Sequence, residues 1–334
     1  MLSRRSLLLI PAVVCLPAAA APAPKPAVPA RPAPVWSVAF SPDGKLLAAG
    51  GYKRIDLWDV AAKTSRPLEG HAGPVRCLAW SADGTRLAGG GGKPGELGEV
   101  KVWTVTDGQA TPAGVLREHK DFVEGLAFAP SGAVVSAGMD DRALVVPLES
   151  GKSTHAMSDH TNRVVSVAFS STGKYVATGS LDTTVKIWGA TDYKPLANLD
   201  RNGGQVHSIA FLPAGDQLLV GGEDGNVRIY RLRETRTGSM TGVNGDISRT
   251  FNGNRTPVYT VAASVKGNLL AWAGADKTIQ VFDSNGGRKY ALKECPDAVY
   301  SVAFSPDGAL LAAGCRDGKV RVWTMSDGKL TVEF

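Results

Sequence analysis

The sequence contains few residues suited to metal, haem or redox chemistry. Its 334 residues include 5 His and 4 Cys. These form neither a CxxCH haem-attachment motif, nor an HExxH motif, nor paired cysteines at zinc-binding spacing. We therefore predict that the protein is not an enzyme and that it holds no metal and no cofactor.

The excess of positive over negative charge is also small, with 37 Lys and Arg against 31 Asp and Glu. The formal net charge is +6, and two of the positive charges, Arg4 and Arg5, lie in a segment interpreted below as removed. The remaining charge is spread along the chain, so it gives no basis for nucleic acid binding.

The composition favours a folded chain with many turns. Apolar residues make up 43% of the sequence, which excludes intrinsic disorder and collagen. The 39 Gly and 20 Pro recur at intervals too short for helices of ordinary length, which argues against a helical bundle.

Residues 1–20 have the pattern of an export signal peptide. Arg4 and Arg5 precede an apolar run, residues 7–16, and then small residues suited to cleavage. The run is too short to span a bilayer, and its prolines disfavour a buried helix. General secretory and twin-arginine export both remain open, and Cys15 leaves a lipoprotein signal as a further alternative. We expect an exported chain, periplasmic or extracellular, with no stable membrane insertion after cleavage; the sequence indicates no oligomeric state.

Residues 21–34 form a proline-rich linker. The stretch APAPKPAVPARPAP contains six prolines in fourteen residues. Such a composition favours an extended spacer without a core of its own. A proline-rich ligand for another domain is the alternative.

One phrase recurs seven times after the linker. The copies are VWSVAFSPDG (35–44), VRCLAWSADG (75–84), VEGLAFAPSG (123–132), VVSVAFSSTG (164–173), VHSIAFLPAG (206–215), VYTVAASVKG (258–267) and VYSVAFSPDG (299–308). Each is an apolar strand that ends in a tight turn, and a second, a third and a weaker fourth strand follow. The repeat is about 43 residues long, the length of a four-stranded propeller blade.

Over residues 35–334 the chain resembles the WD-repeat family. The repeat length, the SPDG turns and the recurrent histidines carry the resemblance, together with a Trp late in the third strand: Trp58, Trp103, Trp188 and Trp323. The resemblance implies an all-β fold, a seven-bladed β-propeller with four antiparallel strands per blade. Each sheet is too small to cover its own faces, so the blades stack against one another.

The resemblance also implies a hydrogen-bonded set in each blade, made of a His, a Ser or Thr, an Asp and the Trp. The fourth repeat contains the whole set: His160, Thr178, Asp182 and Trp188. Residues expected at its positions in other repeats are His71, His119, Asp141, Asp224, Asp276 and Asp317. These residues are predicted to be structural.

Ring closure is expected to differ from many WD-repeat relatives, in which an N-terminal strand completes the last blade. The residues before Val35 are rich in proline and cannot donate to a strand ladder. Residues 329–334, KLTVEF, alternate as a strand does. We predict that they form the fourth strand of the seventh blade, with no exchange of an N-terminal strand.

Three cysteines remain after Cys15. Cys77 lies among small residues at its repeat position and is predicted to be a buried, inert thiol. Cys295 stands where other repeats have the structural histidine, and Cys315 follows the second strand of the same blade. A disulfide between them and two separate free thiols both remain open.

Two segments are interpreted as insertions. The glycine-rich stretch from Gly89 to Pro94 lacks the residues of a phosphate-binding loop, so we predict a flexible insertion. Residues 96–99 are expected to rise beside the upper face of the propeller, the face on which the first strands begin. Residues 233–246 are predicted to be a solvated loop on the lower face, with a basic docking site as the alternative.

The resemblance places candidate binding residues on the upper face, beside the first-strand valines. The candidates are Trp36, Arg76, Phe122, Glu124, Arg163, His207, Tyr259 and Tyr300. Exposed aromatic clusters are what binding hot spots use. Two interpretations stay open: the rings bind a partner, or they plug the channel mouth.

We therefore expect a non-catalytic scaffold that binds a protein or peptide through the upper face. The alternative is a protein that binds a small ligand, or an accessory subunit of an exported enzyme or electron-transfer system. Fold alone does not separate the two, because propellers have many functions.

Overall fold

The sheets are built from short strands joined by tight turns, as the repeated phrase predicts. The computed structural model describes residues 32–237, 240–252 and 256–334, and all regular elements in these residues are β-strands. The predicted signal peptide, and the linker up to residue 31, lie outside the described residues. Residues 32–34 carry no strand.

The first seven strands form one antiparallel sheet in sequence order. They are β1 (Ser37–Phe40), β2 (Leu46–Gly50), β3 (Tyr52–Asp59), β4 (Thr64–Trp80), β5 (Arg86–Lys93), β6 (Leu97–Thr106) and β7 (Gln109–His119).

The remaining strands form five separate four-stranded antiparallel sheets, each made of consecutive strands. The first two contain β8 (Val123–Phe128), β9 (Val134–Gly138), β10 (Ala143–Val146) and β11 (His155–Met157), then β12 (Val164–Phe169), β13 (Tyr175–Ser180), β14 (Val185–Gly189) and β15 (Pro195–Leu199). The next two contain β16 (Val206–Phe211), β17 (Gln217–Gly222), β18 (Val227–Thr237) and β19 (Met240–Phe251), then β20 (Val258–Ala263), β21 (Leu269–Gly274), β22 (Ile279–Asp283) and β23 (Arg288–Leu292). The last contains β24 (Val299–Phe304), β25 (Leu310–Cys315), β26 (Val320–Thr324) and β27 (Leu330–Glu333).

The prediction of seven separate blades is therefore wrong for the first two repeats. Strand β4 is 17 residues long and runs through both. Its first part, Thr64–Glu69, pairs with β3, and its second part, Val75–Trp80, pairs with β5. The connection between the two parts stays extended, so five separate blades accompany one seven-stranded sheet.

The turns explain why the phrase SPDG recurs. In the first repeat the Ser41 hydroxyl donates to the Asp43 carboxylate over 2.6 Å, and Gly44 has a φ of 75°. The Lys45 amide donates to the same carboxylate. A positive φ is easily adopted by glycine, and the aspartate fixes the turn from inside. The turns before β5 and β25 contain the same Ser–Asp bond, over 2.5 Å in each.

The inner strands of successive sheets pack against one another, and the last sheet returns to the first. Strand β24 contacts β1, and β1 in turn contacts β4. At this junction one apolar cluster joins Val38 and Leu47 to Val320 and Val322. Strand β27 pairs with β26, so residues 329–334 supply the outer strand as predicted. Phe334 stacks on Trp58 with ring centroids 4.0 Å apart, which adds a contact between the last and first repeats.

Two segments predicted as loops are strands. Gly89–Gly92 lie in β5 and are buried, because the space beside them is filled: a Cβ on Gly90 would lie 2.6 Å from the Cys77 sulfur. Residues 233–237 continue β18 and pair with residues 240–244 of β19. Thus the glycines serve close packing, and the second insertion is a paired extension rather than a solvated loop.

No helix among the described residues has the length and apolar character needed to cross a membrane.

Candidate functional site

A cavity of about 320 Å³ opens where the inner strands begin. Its lining comes from the residue before β1 and from the first strands of the other six repeats: Trp36, Arg76, Glu124, Val165, His207, Tyr259 and Tyr300, joined by Met139 and Leu181. We call this cavity the channel mouth. Six of the eight predicted upper-face residues lie in its wall.

A β-bulge accounts for the direction of most of these side chains. In β4, β8, β12, β16, β20 and β24 the pairing register shifts directly after the first valine. The residue that follows this valine is left out of the ladder. A bulge turns the extra residue away from the regular pleat, so that its side chain reaches the channel mouth rather than the neighbouring sheet.

Aromatic rings form a continuous arc along one side of the channel mouth. The rings of His207 and Tyr259 have centroids 5.9 Å apart in an edge-on arrangement, and those of Tyr259 and Tyr300 are 6.0 Å apart. The guanidinium of Arg76 lies 5.8 Å from the Trp36 ring centroid, at cation–π distance. The rings contact one another and are half-buried, so each presents a face or an edge to solvent.

One ion pair and one further hydrogen bond involve the polar side chains of the channel mouth. The Arg76 Nε lies 3.1 Å from both carboxylate oxygens of Glu124. His207 Nε2 lies 2.9 Å from the Glu223 carboxylate. Burial raises the pKa of the Tyr259 hydroxyl, with the neighbouring Tyr300 as a further cause. The Tyr259 hydroxyl therefore stays neutral and can donate or accept hydrogen bonds near neutral pH.

Phe122 and Arg163 do not line the channel mouth. Their backbone carbonyls accept hydrogen bonds from the amides of Met139 and Leu181, over 2.8 and 3.0 Å. These bonds instead place the Met139 and Leu181 side chains in the wall, which the sequence reasoning missed. The signal was a second column of residues, at the end of the second strand of each repeat.

The hydrogen-bonded set of the fourth repeat is continuous. His160 Nδ1 lies 2.8 Å from the Asp182 carboxylate, and His160 Nε2 lies 2.8 Å from the Thr178 hydroxyl oxygen. The Trp188 indole donates to the same hydroxyl oxygen over 2.9 Å. The chain joins strands β13 and β14 to the segment before β12, so these four residues are structural.

The third repeat contains a similar chain with one change from the prediction. His119 contacts Ser136 and Asp140, at 2.8 and 2.7 Å. Asp141 was predicted for this role, but it has a φ of 65° in the turn, and its neighbour Asp140 reaches the histidine. The predicted aspartates of two later repeats bind arginines instead, Asp224 with Arg228 and Asp317 with Arg321.

His71 is buried without the partners that His160 has. The position of Thr178 is occupied here by Gly89, so His71 Nε2 has no hydrogen-bond partner among the described residues. Its Nδ1 lies 3.4 Å from the buried Glu99 carboxylate. Burial lowers the pKa of His71 to about 4, against the opposing effect of Glu99. The histidine is therefore neutral in the folded protein near neutral pH.

The buried His71 makes the protein less stable in acid. Below its ordinary pKa of 6.5 the unfolded chain binds a proton that the folded chain rejects down to about pH 4. We expect this residue to remove roughly 2 to 3 kcal/mol of unfolding free energy between these limits, and nothing above them. Urea unfolding of the wild type and of His71→Gln, at about pH 7.5 and about pH 5, measures the effect.

The readout is the change in unfolding free energy between the two pH values, so a loss of stability that is equal at both pH values does not affect it. His71→Gln is expected to lose less stability than the wild type on acidification. The control is His155→Gln, since His155 is exposed. A wild-type pH dependence in His71→Gln would contradict this account of the site.

The three described cysteines are free and buried. The Cys77 sulfur lies 3.6 Å from the Val123 carbonyl oxygen, and burial raises the pKa of this thiol. The sulfurs of Cys295 and Cys315 lie 3.1 Å apart. Within the described residues, no three His, Cys, Asp or Glu side chains converge as metal ligands.

Comparison with known families agrees with this geometry. The family model described as "IFT122 first beta-propeller" matches residues 34–245, and the one described as "WD domain, G-beta repeat" matches residues 245–283 and 288–324.

Curated relatives match parts of the chain at low identity. Periodic tryptophan protein 2 of Arabidopsis thaliana is 26% identical over 241 residues, 70% of this chain and 25% of the relative. A guanine nucleotide-binding protein subunit beta of the same plant is 25% identical over 232 residues, 65% of this chain and 60% of the relative. WD repeat-containing protein 1 of Rattus norvegicus is 30% identical over 211 residues, 61% of this chain and 32% of the relative. The matches thus span less than two thirds of these relatives.

Proposed function

Because the chain belongs to the WD-repeat β-propeller family, we propose that it is a non-catalytic scaffold that holds a protein or peptide segment at the channel mouth. The observation that carries the proposal is the arc of His207, Tyr259 and Tyr300, which lines the same cavity as Trp36. One relative is by name a subunit of a larger protein, which agrees with a role in assembly.

The chemistry of the channel mouth fits a peptide better than a charged metabolite. Arg76 pairs with Glu124, and His207 is hydrogen-bonded to Glu223, so these four groups offer little unpaired charge to select an ion. Aromatic rings with hydroxyl, imidazole and indole groups offer apolar area and hydrogen bonds together. Such residues are enriched in binding hot spots, so an uncharged or mixed peptide segment is the expected occupant.

The proposal includes a ring of seven blades. The two parts of β4 pair with different strands, and the second part contacts both β1 and β8 as the other inner strands contact their neighbours. We propose that the seven-stranded sheet serves as two blades joined by a continuous strand. The joined blades would then close a ring in which no N-terminal strand is exchanged.

Export is the second part of the proposal. It rests on residues 1–20 alone, with their two arginines, short apolar run and small residues. Under this proposal the partner is met in the periplasm or outside the cell. Residues 21–34 then serve as a spacer between the signal peptide and the propeller.

Capture of a partner from the exported fraction tests the scaffold. We expect the chain to retain a protein or peptide that the triple variant Trp36→Ala, Tyr259→Ala, Tyr300→Ala loses at least tenfold, because loss of aromatic hot spots costs about 2 kcal/mol or more each. Quantitative mass spectrometry of the captured material measures the loss.

The matched control removes exposed apolar side chains elsewhere, with Val115→Ala, Val265→Ala and Leu330→Ala. It should retain the partner as well as the wild type does. Equal capture by the triple variant would mean that the rings only plug the channel, provided that both variants unfold at the wild-type temperature.

A small-ligand function is the second candidate. The cavity volume of about 320 Å³ lies at the lower end of the range for small-ligand sites. A protein of this kind could also serve as an accessory subunit of an exported enzyme or electron-transfer system. Native mass spectrometry separates the candidates, because a retained small molecule displaced in Tyr259→Ala favours the ligand, whereas a retained peptide favours the scaffold.

A further inference from the structure

The last sheet contains a pair of thiols at two positions where other repeats have different residues. Cys295 lies four residues before Val299, where three other repeats have a histidine: His71, His119 and His160. Cys315 pairs with Val299 across the ladder. The residues at the position of Cys315 in other repeats are Gly91, Gly138, Gly222, Gly274 and Ser180. Two independent departures from the repeat thus bring two sulfurs together.

The two sulfurs are positioned for a bond. Their separation is 3.1 Å, and Cys295 and Cys315 are 3% and 0% exposed. Cys315 is held in β25 by backbone hydrogen bonds. Its amide donates to the Lys319 carbonyl, and its carbonyl accepts from the Val35 amide. Cys295 lies between β23 and β24, so a bond between the sulfurs would tie the segment before β24 to the end of β25.

A buried arginine lies beside the thiols. The Arg321 side chain is 4% exposed, and it pairs with Asp317 at 2.7 Å and with Glu333 at 2.8 Å. Its Nη1 has no hydrogen-bond partner among the described residues. The contact with Cys315 and the Arg321 charge favour a lowered pKa for the Cys295 thiol, although burial opposes this. A thiolate is the form of cysteine that attacks disulfides.

The last sheet also lacks the hydrogen-bonded set that ties the fourth repeat together. Ala313 stands where Thr178 stands in the fourth repeat, and the Trp323 indole donates instead to Glu294 over 3.2 Å. In the part of the chain that the structure describes, no carboxylate is hydrogen-bonded to Cys295 as Asp182 is to His160. The thiol pair therefore occupies the place of a missing structural link.

We propose that Cys295 and Cys315 form a reversible disulfide that links the start of β24 to β25 in the closing sheet. The oxidant is an external disulfide of the glutathione or protein class. The Cys295 thiolate attacks one of its sulfurs and releases one thiolate. The Cys315 sulfur, after losing its proton, then attacks the Cys295 sulfur and releases the second thiolate, which completes the bond. The released thiolates take up the two protons that the cysteines lose.

The bond acts on the channel mouth through Tyr300. Tyr300 follows Val299, the residue opposite Cys315 in the ladder. Fixing this strand end restricts the position of the Tyr300 ring in the arc.

Peptide mapping tests the bond directly. The full chain is incubated in its folded form, and also refolded, in a glutathione redox buffer, then denatured and alkylated with N-ethylmaleimide. Trypsin releases one peptide, Glu294–Arg316, that carries both cysteines, and another, Cys77–Arg86, that carries one. We expect the first peptide to be unalkylated and two hydrogen atoms lighter than the same peptide with both thiols reduced. The second should be alkylated in full.

Alkylation of both Cys295 and Cys315 in an excess of glutathione disulfide, after folding and after refolding alike, would overturn the proposal. So would persistent mixed disulfides with glutathione at either cysteine. This readout uses the wild-type chain, so it does not depend on whether a cysteine variant folds.

Thermal unfolding gives a second readout. The oxidised wild type should melt about 5 °C higher than the protein treated with dithiothreitol, because the bond constrains the unfolded chain. Cys295→Ser should show no difference between the two conditions, while Cys77→Ser should keep it. An equal difference in Cys295→Ser would mean that another bond is responsible and would contradict the proposal.

Discussion

Replacing Trp188 by alanine is expected to lower the free energy of unfolding by about 3 to 5 kcal/mol. The indole is 2% exposed and packs in a core cluster with Val164, Val176 and Met157. Its removal leaves a cavity and also deprives the Thr178 hydroxyl of a donor. Chemical denaturation followed by circular dichroism measures the loss.

Two matched variants separate packing from hydrogen bonding. Trp188→Phe keeps most of the apolar contact and loses the indole donor, so it should cost less than Trp188→Ala. Thr178→Val keeps the volume and leaves His160 Nε2 and the indole without their shared partner, at an expected cost of about 1 to 3 kcal/mol. A cost below about 1 kcal/mol for Trp188→Ala would mean that this tryptophan does not anchor its sheet.

Placing a charge at Val322 is expected to prevent stable closure of the ring. Val322 is 1% exposed and belongs to the apolar cluster that joins the last sheet to β1 and β2. An aspartate there would be buried without a partner, so we expect Val322→Asp to cost more than about 4 kcal/mol. The measurements are the denaturation midpoint and the yield of monodisperse protein on gel filtration.

The control makes the same substitution on the surface. Val265 is 68% exposed, so Val265→Asp should change the unfolding free energy by less than about 0.5 kcal/mol. Near-wild-type stability for Val322→Asp would show that the junction between the last and first sheets contributes little. The proposal of a ring closed by packing alone would then be wrong.

The features that the sequence predicted well are those repeated in each unit. The SPDG turns, the alternating third strands and the outer strand at 329–334 each depend on local pattern, which repeats strengthen. The wall of the channel mouth could also be predicted from the sequence, because one residue per repeat has the same offset from a strand valine. Seven residues of the wall share this offset, and six of them were predicted as binding candidates.

The features that the sequence reasoning missed depend on packing between segments. Nothing local distinguishes an extended connection from a turn at residues 70–74, so the joined first sheets were not anticipated. The glycines of β5 resemble a flexible loop until Cys77 and Val123 are seen to fill the space beside them. Likewise, whether Asp140 or Asp141 reaches His119 is decided by the backbone of the turn rather than by repeat position.

The most direct measurement of the scaffold function is site-specific crosslinking from the channel mouth. A photoreactive phenylalanine analogue is placed at Tyr300 and, as the control, at Tyr193, which packs against His155 away from the channel mouth. We predict that the captured partner crosslinks from position 300 and not from position 193. Crosslinking from position 193 with none from position 300 would place the partner outside the channel mouth and contradict the account.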